Sequence, residues 1–298
     1  NGGHDIYLLR ISETTKDLSQ NTVLGTAMKV LMGCIRFPPA PGGAETHVYE
    51  VTTRLAKRGH EVEVFTSDLY KEIPMTRLGS REHEEWIDGI SVRRFRAHSL
   101  GGELHYVFMP SMPIPMLRER CDIVHVHSYG YFHVNVAALK RRLQGDVKMV
   151  ITPHYHPPWS MWGGEKRRMI RGLYDRFIGR AVVNRADAII GVSRHEMEHL
   201  SEIGVQVDKV RIIPNGIDTS LYHPMPSPKA FLEAFDIDEG RRIILYVGRL
   251  ASNKGLHVLV EAAPNIIKRS DDVLFVLVGA DSGEREGLEA HIRRLGLK

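Results

Sequence analysis

The sequence predicts an α/β protein with doubly wound parallel sheets, arranged as two units, and three observations predict it. From Lys29 onward short apolar runs alternate with amphipathic stretches, the signature of strands joined by crossover helices. Two of these runs, KVLMGCI from Lys29 and RIILYV from Arg242, each end in a turn suited to an anion and are each followed by helical periodicity, the arrangement of a ligand crevice at strand carboxyl ends. A stretch rich in Pro, Asp and Ser, from Pro214 to about Gly240, separates the last such run from those before it.

Taken in order, residues 1–27 are polar and aperiodic and lack the apolar core of a signal peptide, so they are expected to be a disordered or non-native leader before Met28. An N-terminal domain then spans 28–213. Its strands are KVLMGCI, EVEVFT from Glu61, ISVRRF from Ile90, DIVHVH from Asp122, KMVIT from Lys148, AIIGVS from Ala188 and KVRIIP from Lys209. The helix THVYEVTTRLAKRG closes on Lys57, Arg58 and Gly59, cations and a glycine where a helix C-terminus favours them. Residues 214–240 read as a linker, and 241–298 as strand, helix, strand, helix. Two parallel strands bury little apolar surface and leave an open edge, so this second domain is expected to be incomplete.

The 298 residues are 43% hydrophobic and 26% charged, ordinary values for a globular protein. The longest apolar runs, such as VLFVLVGA from Val273, fall well short of the roughly 18 residues a spanning helix needs. Cys34 and Cys121 lie in or beside strand-like runs and read as buried thiols of a reducing cytosol. A net charge of +4 permits anionic partners without choosing among them.

Several constellations carry chemistry. Gly42 and Gly43 lack Cβ atoms and lead into a helix, so backbone amides can approach an anionic oxygen at its positive end; a plain tight turn is the alternative. The third glycine of a G-x-G-x-x-G dinucleotide fingerprint is missing. Arg249 and Lys254 bracket a short turn and offer a planar fork and a point charge to one diphosphate, unless they are simply exposed cations. His125 and His127 point to one face of a strand, and His154 and His156 follow the next. Four imidazoles from adjacent strands suit a metal; otherwise they line a polar crevice or satisfy local hydrogen bonds. His195-Glu196-Met197-Glu198-His199 matches H-E-x-x-H, but residues 200–222 read as strand and loop and supply no helix with a third ligand. The solvated face of a sheet-flanking helix explains these charges better. Finally, WSMWGGEKRRMIRGLYDRFIGR, from Trp159 to Arg180, mixes Lys166, Arg167, Arg168, Arg171, Arg176 and Arg180 with apolar residues. It reads either as a helix packing its apolar stripe on the sheet or as one lying on an anionic membrane surface.

GGAE at 42–45, ADAIIGVS at 186–193, IPNGID at 213–218, VGRLASNKG at 247–255 and LFVLVGADSG at 274–283 occur in one order. In that order the chain resembles the retaining nucleotide-sugar glycosyltransferases of family 4, which have the GT-B fold of two Rossmann-like domains. The resemblance implies transfer of a hexose-type sugar from a nucleoside diphosphate donor to an acceptor hydroxyl on a glycan or lipid-linked molecule. It implies catalytic roles for His154, at the transferred sugar, and for Arg249 and Lys254, which neutralise the donor diphosphate. Gly42, Gly43, Glu45, His127, Asn215 and Gly248 are expected to bind donor or acceptor. No cofactor or metal is expected; nor is nucleic acid expected as a partner. The expected location is cytoplasmic, with peripheral contact at the cytoplasmic face of a membrane. The family's E-x7-E segment does not occur before Lys298, so the chain is expected to be a catalytically incomplete fragment. The competing readings are a nucleotide-sugar epimerase of GT-B fold, a non-catalytic nucleotide-sugar or glycan-binding module, and a metallohydrolase using the histidine pairs.

Overall fold

A computed structural model of the chain describes residues 26–79, 82–100, 106–157, 165–225 and 227–297. Most of the expected leader, and Trp159 and Trp162 of the basic stretch, lie outside the described residues. The chain divides into two compact units, Asn1–Gly216 and Ile217–Lys298.

The first unit is built on one sheet of eight strands. These are β1 (Lys29–Gly33), β2 (Glu61–Ser67), β3 (His83–Ile87), β4 (Ile90–Phe95), β5 (Ile123–His127), β6 (Lys148–Thr152), β7 (Ala188–Gly191) and β8 (Val210–Ile212). Their order across the sheet is β8-β7-β6-β5-β1-β2-β4-β3. The central strands are apolar on both faces because helices cover both. In β1, Leu31 joins one buried cluster while Val30 and Met32 join the other, as alternation along a strand requires.

All neighbours run parallel except β3 and β4. The expectation of a parallel sheet is corrected at this edge by a hairpin turning at Asp88 and Gly89, both at positive φ (48° and 80°). An Asp-Gly pair accepts this tight turn, whose twist matches that of the strands it joins. Arg94 of β4, fully buried, donates to Glu85 on β3 and to the carbonyls of Phe37 and Pro38, tying the sheet edge to the loop after β1.

From β1 the chain moves outward to β2 and β4, then returns to the opposite side of β1 to form β5. The order therefore reverses between β1 and β5, and the loops leaving their carboxyl ends diverge to open a crevice. Helix α1 (Gly43–Lys57) follows β1, α2 (Phe132–Leu143) follows β5, α3 (Glu165–Tyr174) follows β6 and α4 (Arg194–Glu202) follows β7.

In the second unit β9 (Arg242–Val247) pairs in parallel with β10 (Val273–Val278), flanked by α5 (Leu256–Ile267) and α6 (Arg285–Arg294). Its buried cluster is Leu256, Val260 and Leu288, and Val247 at the end of β9 is 71% exposed. The segment expected as a linker contains a short 3-10 turn, Thr219–Tyr222, and a helix, Lys229–Ala234.

Candidate active site

The crevice of the first unit begins where β1 ends. At Gly42 the backbone takes φ 154°, and a Cβ there would meet the Glu45 carboxylate at 2.0 Å, so glycine is demanded. Around Gly43 the space is open. Helix α1 starts at this point with no side-chain cap, which leaves its first-turn amides to the crevice. Glu45, expected as a binding residue, is buried and ion-paired with Arg36 at 2.5 Å. It braces the glycine loop from beneath.

Three imidazoles gather beside that loop: His47 from the first turns of α1, His127 from the last position of β5, and His154 two residues past β6. One ring nitrogen from each lies within 4.8 Å of the others. The His47 ring meets His127 and His154 edge-on at 5.6 and 5.5 Å between centroids. His127 Nδ1 is 3.5 Å from His154 Nε2. His154 sits in the left-handed region, φ 45°, a conformation a non-glycine residue holds only when its surroundings impose it.

Behind them, His125 Nε2 is 2.9 Å from Thr152 Oγ1, and His133 Nε2 donates to the His127 carbonyl at 2.7 Å. That bond leaves His133 Nδ1 as the unprotonated nitrogen of the neutral ring. Burial pushes His125 down to about 3 and His133 and His154 to about 4, holds His127 well below the ordinary imidazole value, and lowers His47 too. The cluster is therefore neutral at physiological pH. His127 Nε2 is buried and has no hydrogen-bond partner among the described residues.

The four histidines named from the sequence are thus not the set the fold assembles. His125 turns to Thr152, His156 lines a cleft of about 330 Å³ with His154, Ser193, His195 and His199, and His47 completes the group instead. Sequence reasoning missed His47, although it lies one helical turn beyond Gly43 and so shares that residue's face of the helix.

The H-E-x-x-H match is explained by capping. Ser193 accepts from the Glu196 amide at 3.1 Å, while the Glu196 carboxylate accepts from the amides of Tyr155 and Val192, both at 2.7 Å. Glu196 thereby staples the loop carrying His154 to the start of α4.

Helix α3 has no buried residue, and Met169, Ile170, Leu173, Phe177 and Ile178 are exposed along it and the following turn. The side turned inward is polar. Arg171 stacks on the Tyr129 ring at 4.6 Å and donates to Asp175 at 2.8 Å, and Asp175 also accepts from Tyr129 at 2.9 Å.

In the second unit, Gly248 and Gly279 stand just past the ends of β9 and β10. A Cβ on Gly279 would lie 1.7 Å from the Gly248 carbonyl, so only glycine permits this approach. Arg249 and Lys254 are both exposed, on the turn that leads to Gly255 (φ 68°) and α5. Helix α5 has no side-chain cap, whereas Asp281 caps α6 by accepting from the amides of Gly283, Glu284 and Arg285 at 2.9, 3.1 and 3.1 Å. Uncapped amides and two cations therefore share one turn. Asn215 is exposed in the irregular stretch after β8.

Residues 41–221 match the family model described as Glycosyltransferase Family 4, which is more than half of the 298 residues. The chain belongs to glycosyltransferase family 4. Residues 229–298 of this family 4 chain match a second model, Glycosyl transferases group 1. It is 25% identical over 258 residues to the D-inositol 3-phosphate glycosyltransferase of Kineococcus radiotolerans, covering 81% of this chain and 57% of that protein. It is 28% identical over 251 residues to the phosphatidylinositol N-acetylglucosaminyltransferase gpi3 subunit of Schizosaccharomyces pombe, covering 82% and 49%. The chain thus spans about half the length of the curated relatives it matches.

Among solved structures it is similar to Anabaena Alr3699/HepE in complex with UDP and glucose, with a TM-score of 0.61 at 20% identity over 90% of this chain and 67% of that one. A glycosyltransferase from Rickettsia africae gives 0.62 at 19%, over 92% and 66%. At such identities the likeness speaks to the fold, GT-B, and the family 4 chain shares it.

Proposed function

We propose that the protein transfers a sugar from a nucleoside diphosphate donor to an acceptor hydroxyl, with retention of anomeric configuration. The observation that carries this reading is the neutral histidine group set beside the uncapped start of α1, at the point where strand order reverses. Neutral imidazoles donate or accept hydrogen bonds to sugar hydroxyls without adding charge to the site. His154, held by its backbone and by the Glu196 staple, orients the transferred sugar.

On the second unit, Arg249 and Lys254 take the diphosphate. Negative charge builds on the leaving phosphate as the glycosidic bond lengthens, and cations already in place stabilise it without reorganisation. Side chains then do what a metal ion does in other transferases, and no divalent ion is required at the diphosphate. The HepE complexes with UDP and UDP-glucose support a nucleotide-sugar donor, and the names of the relatives support a glycan or lipid-like acceptor. We further propose a cytoplasmic location with peripheral contact at an anionic membrane; the outward apolar stripe of α3 and its exposed neighbours Lys166, Arg168 and Arg176 support the membrane contact.

Calorimetric titration of the full-length protein with UDP-, GDP- and ADP-sugars tests the donor site. One base is expected to bind. Arg249→Ala and Lys254→Ala should each weaken that binding by about 10- to 100-fold, the value of a hydrogen bond to a charged group. Binding to no donor, or binding indifferent to both substitutions, overturns the reading.

A further inference from the structure

We infer that His47, His127 and His154 form a binding site for one transition-metal ion of the zinc class. Their ligand nitrogens lie within 4.8 Å of one another. Zn–N bonds of about 2.0–2.1 Å in tetrahedral geometry put ligand nitrogens about 3.3 Å apart, so the observed group is close to closure. The 3.5 Å between His127 Nδ1 and His154 Nε2 already matches that spacing. It is long for a hydrogen bond between two rings.

The His127 backbone is fixed from behind by the His133 hydrogen bond at 2.7 Å, and His154 by its enforced left-handed backbone. Three imidazoles without a carboxylate favour zinc, cobalt or nickel over magnesium or calcium, and leave a fourth position for water or an anion.

The site belongs to the first unit alone and does not depend on the transferase reading. Where that reading holds, a bound ion takes the His154 nitrogen needed by the sugar hydroxyl, and zinc inhibits transfer.

The test is calorimetry with Zn²⁺, and visible spectroscopy with Co²⁺, on metal-free full-length protein in the absence of any sugar. One ion per chain is expected, with a tetrahedral cobalt spectrum and no uptake of Mg²⁺. His47→Ala should weaken zinc binding at least about 10-fold, since loss of even an outer-shell partner costs that much. Alanine suits the helix at that position, and thermal melting confirms the fold. The double variant His195→Ala/His199→Ala, on α4 and outside the three-histidine group, should bind as the wild type does. Absence of zinc uptake, uptake unchanged in His47→Ala, or uptake lost only in the α4 double variant overturns the proposal. Sugar is absent throughout, so failure here is distinct from failure of the donor titration.

Discussion

Two backbone amides, those of Tyr155 and Val192, depend on one carboxylate, Glu196, which accepts from both at 2.7 Å. Removing it leaves buried donors unsatisfied, each costing about 1–3 kcal/mol. Glu196→Ala should therefore lower stability by about 2–4 kcal/mol, read as a fall in the urea midpoint at unchanged slope. A midpoint like that of the wild type would refute the staple. Thiol chemistry is a second consequence of burial at this scale. Burial pushes Cys34 up to about 12 and Cys121 up to about 11. Both thiols are then protonated at pH 8, where only a thiolate is nucleophilic. Alkylation at pH 8 should be slow in the folded protein and fast in denaturant; rapid labelling of folded Cys34 would contradict its placement. Gly42 was legible as a special residue from its neighbours alone. His47 was not, because a polar residue in the second turn of an amphipathic helix is indistinguishable in sequence from one facing water.

Helix α3 shows how the same ambiguity plays out over a whole element. Its sequence allowed either a packed apolar stripe or a stripe offered to a membrane. In the structure the Arg171–Asp175 pair and the tyrosines occupy the inward side, and Leu173 and Phe177 are 50% and 70% exposed. Sedimentation with vesicles of acidic phospholipid at low salt is expected to carry the protein down, with each nearby cation contributing about 1 kcal/mol. Neutral vesicles should not carry it down. Leu173→Gln with Phe177→Gln, both at exposed positions, should reduce sedimentation severalfold while leaving the fold intact. Failure of the wild type to sediment would count against the membrane contact. The hairpin of β3 and β4 is another element the pattern understated. HEEWIDGISVRRF carries an Asp-Gly turn signal, but the charges of His83 to Glu85 hide the first strand among loop residues. An edge strand needs little apolar content, since one side faces water.

Across the whole molecule, order is distributed unevenly. The first unit buries two large clusters on either side of its sheet, whereas the second buries Leu256, Val260 and Leu288 and leaves Leu245 58% exposed. Opening free energy follows local burial, so in hydrogen exchange of this chain the amides of β5 and β6 should be the last to exchange. Those of β9 and β10 should exchange faster by orders of magnitude. Equal protection in both units would show the second to be better buttressed than its packing indicates.

Seven of the eight strands of the first sheet, their alternation with helices and the two anion-suited turns were determined by sequence alone. Period-2 and period-3.6 patterns and glycine's freedom at positive φ are local properties, written within a dozen residues. Which histidines meet, what Glu196 does and which side of α3 faces inward were decided only by tertiary structure. Those outcomes depend on crossings between residues some 30 to 110 positions apart, as with Tyr155 and Glu196 or His47 and His154. No local pattern encodes the register at which separate strands and helices bring such side chains together.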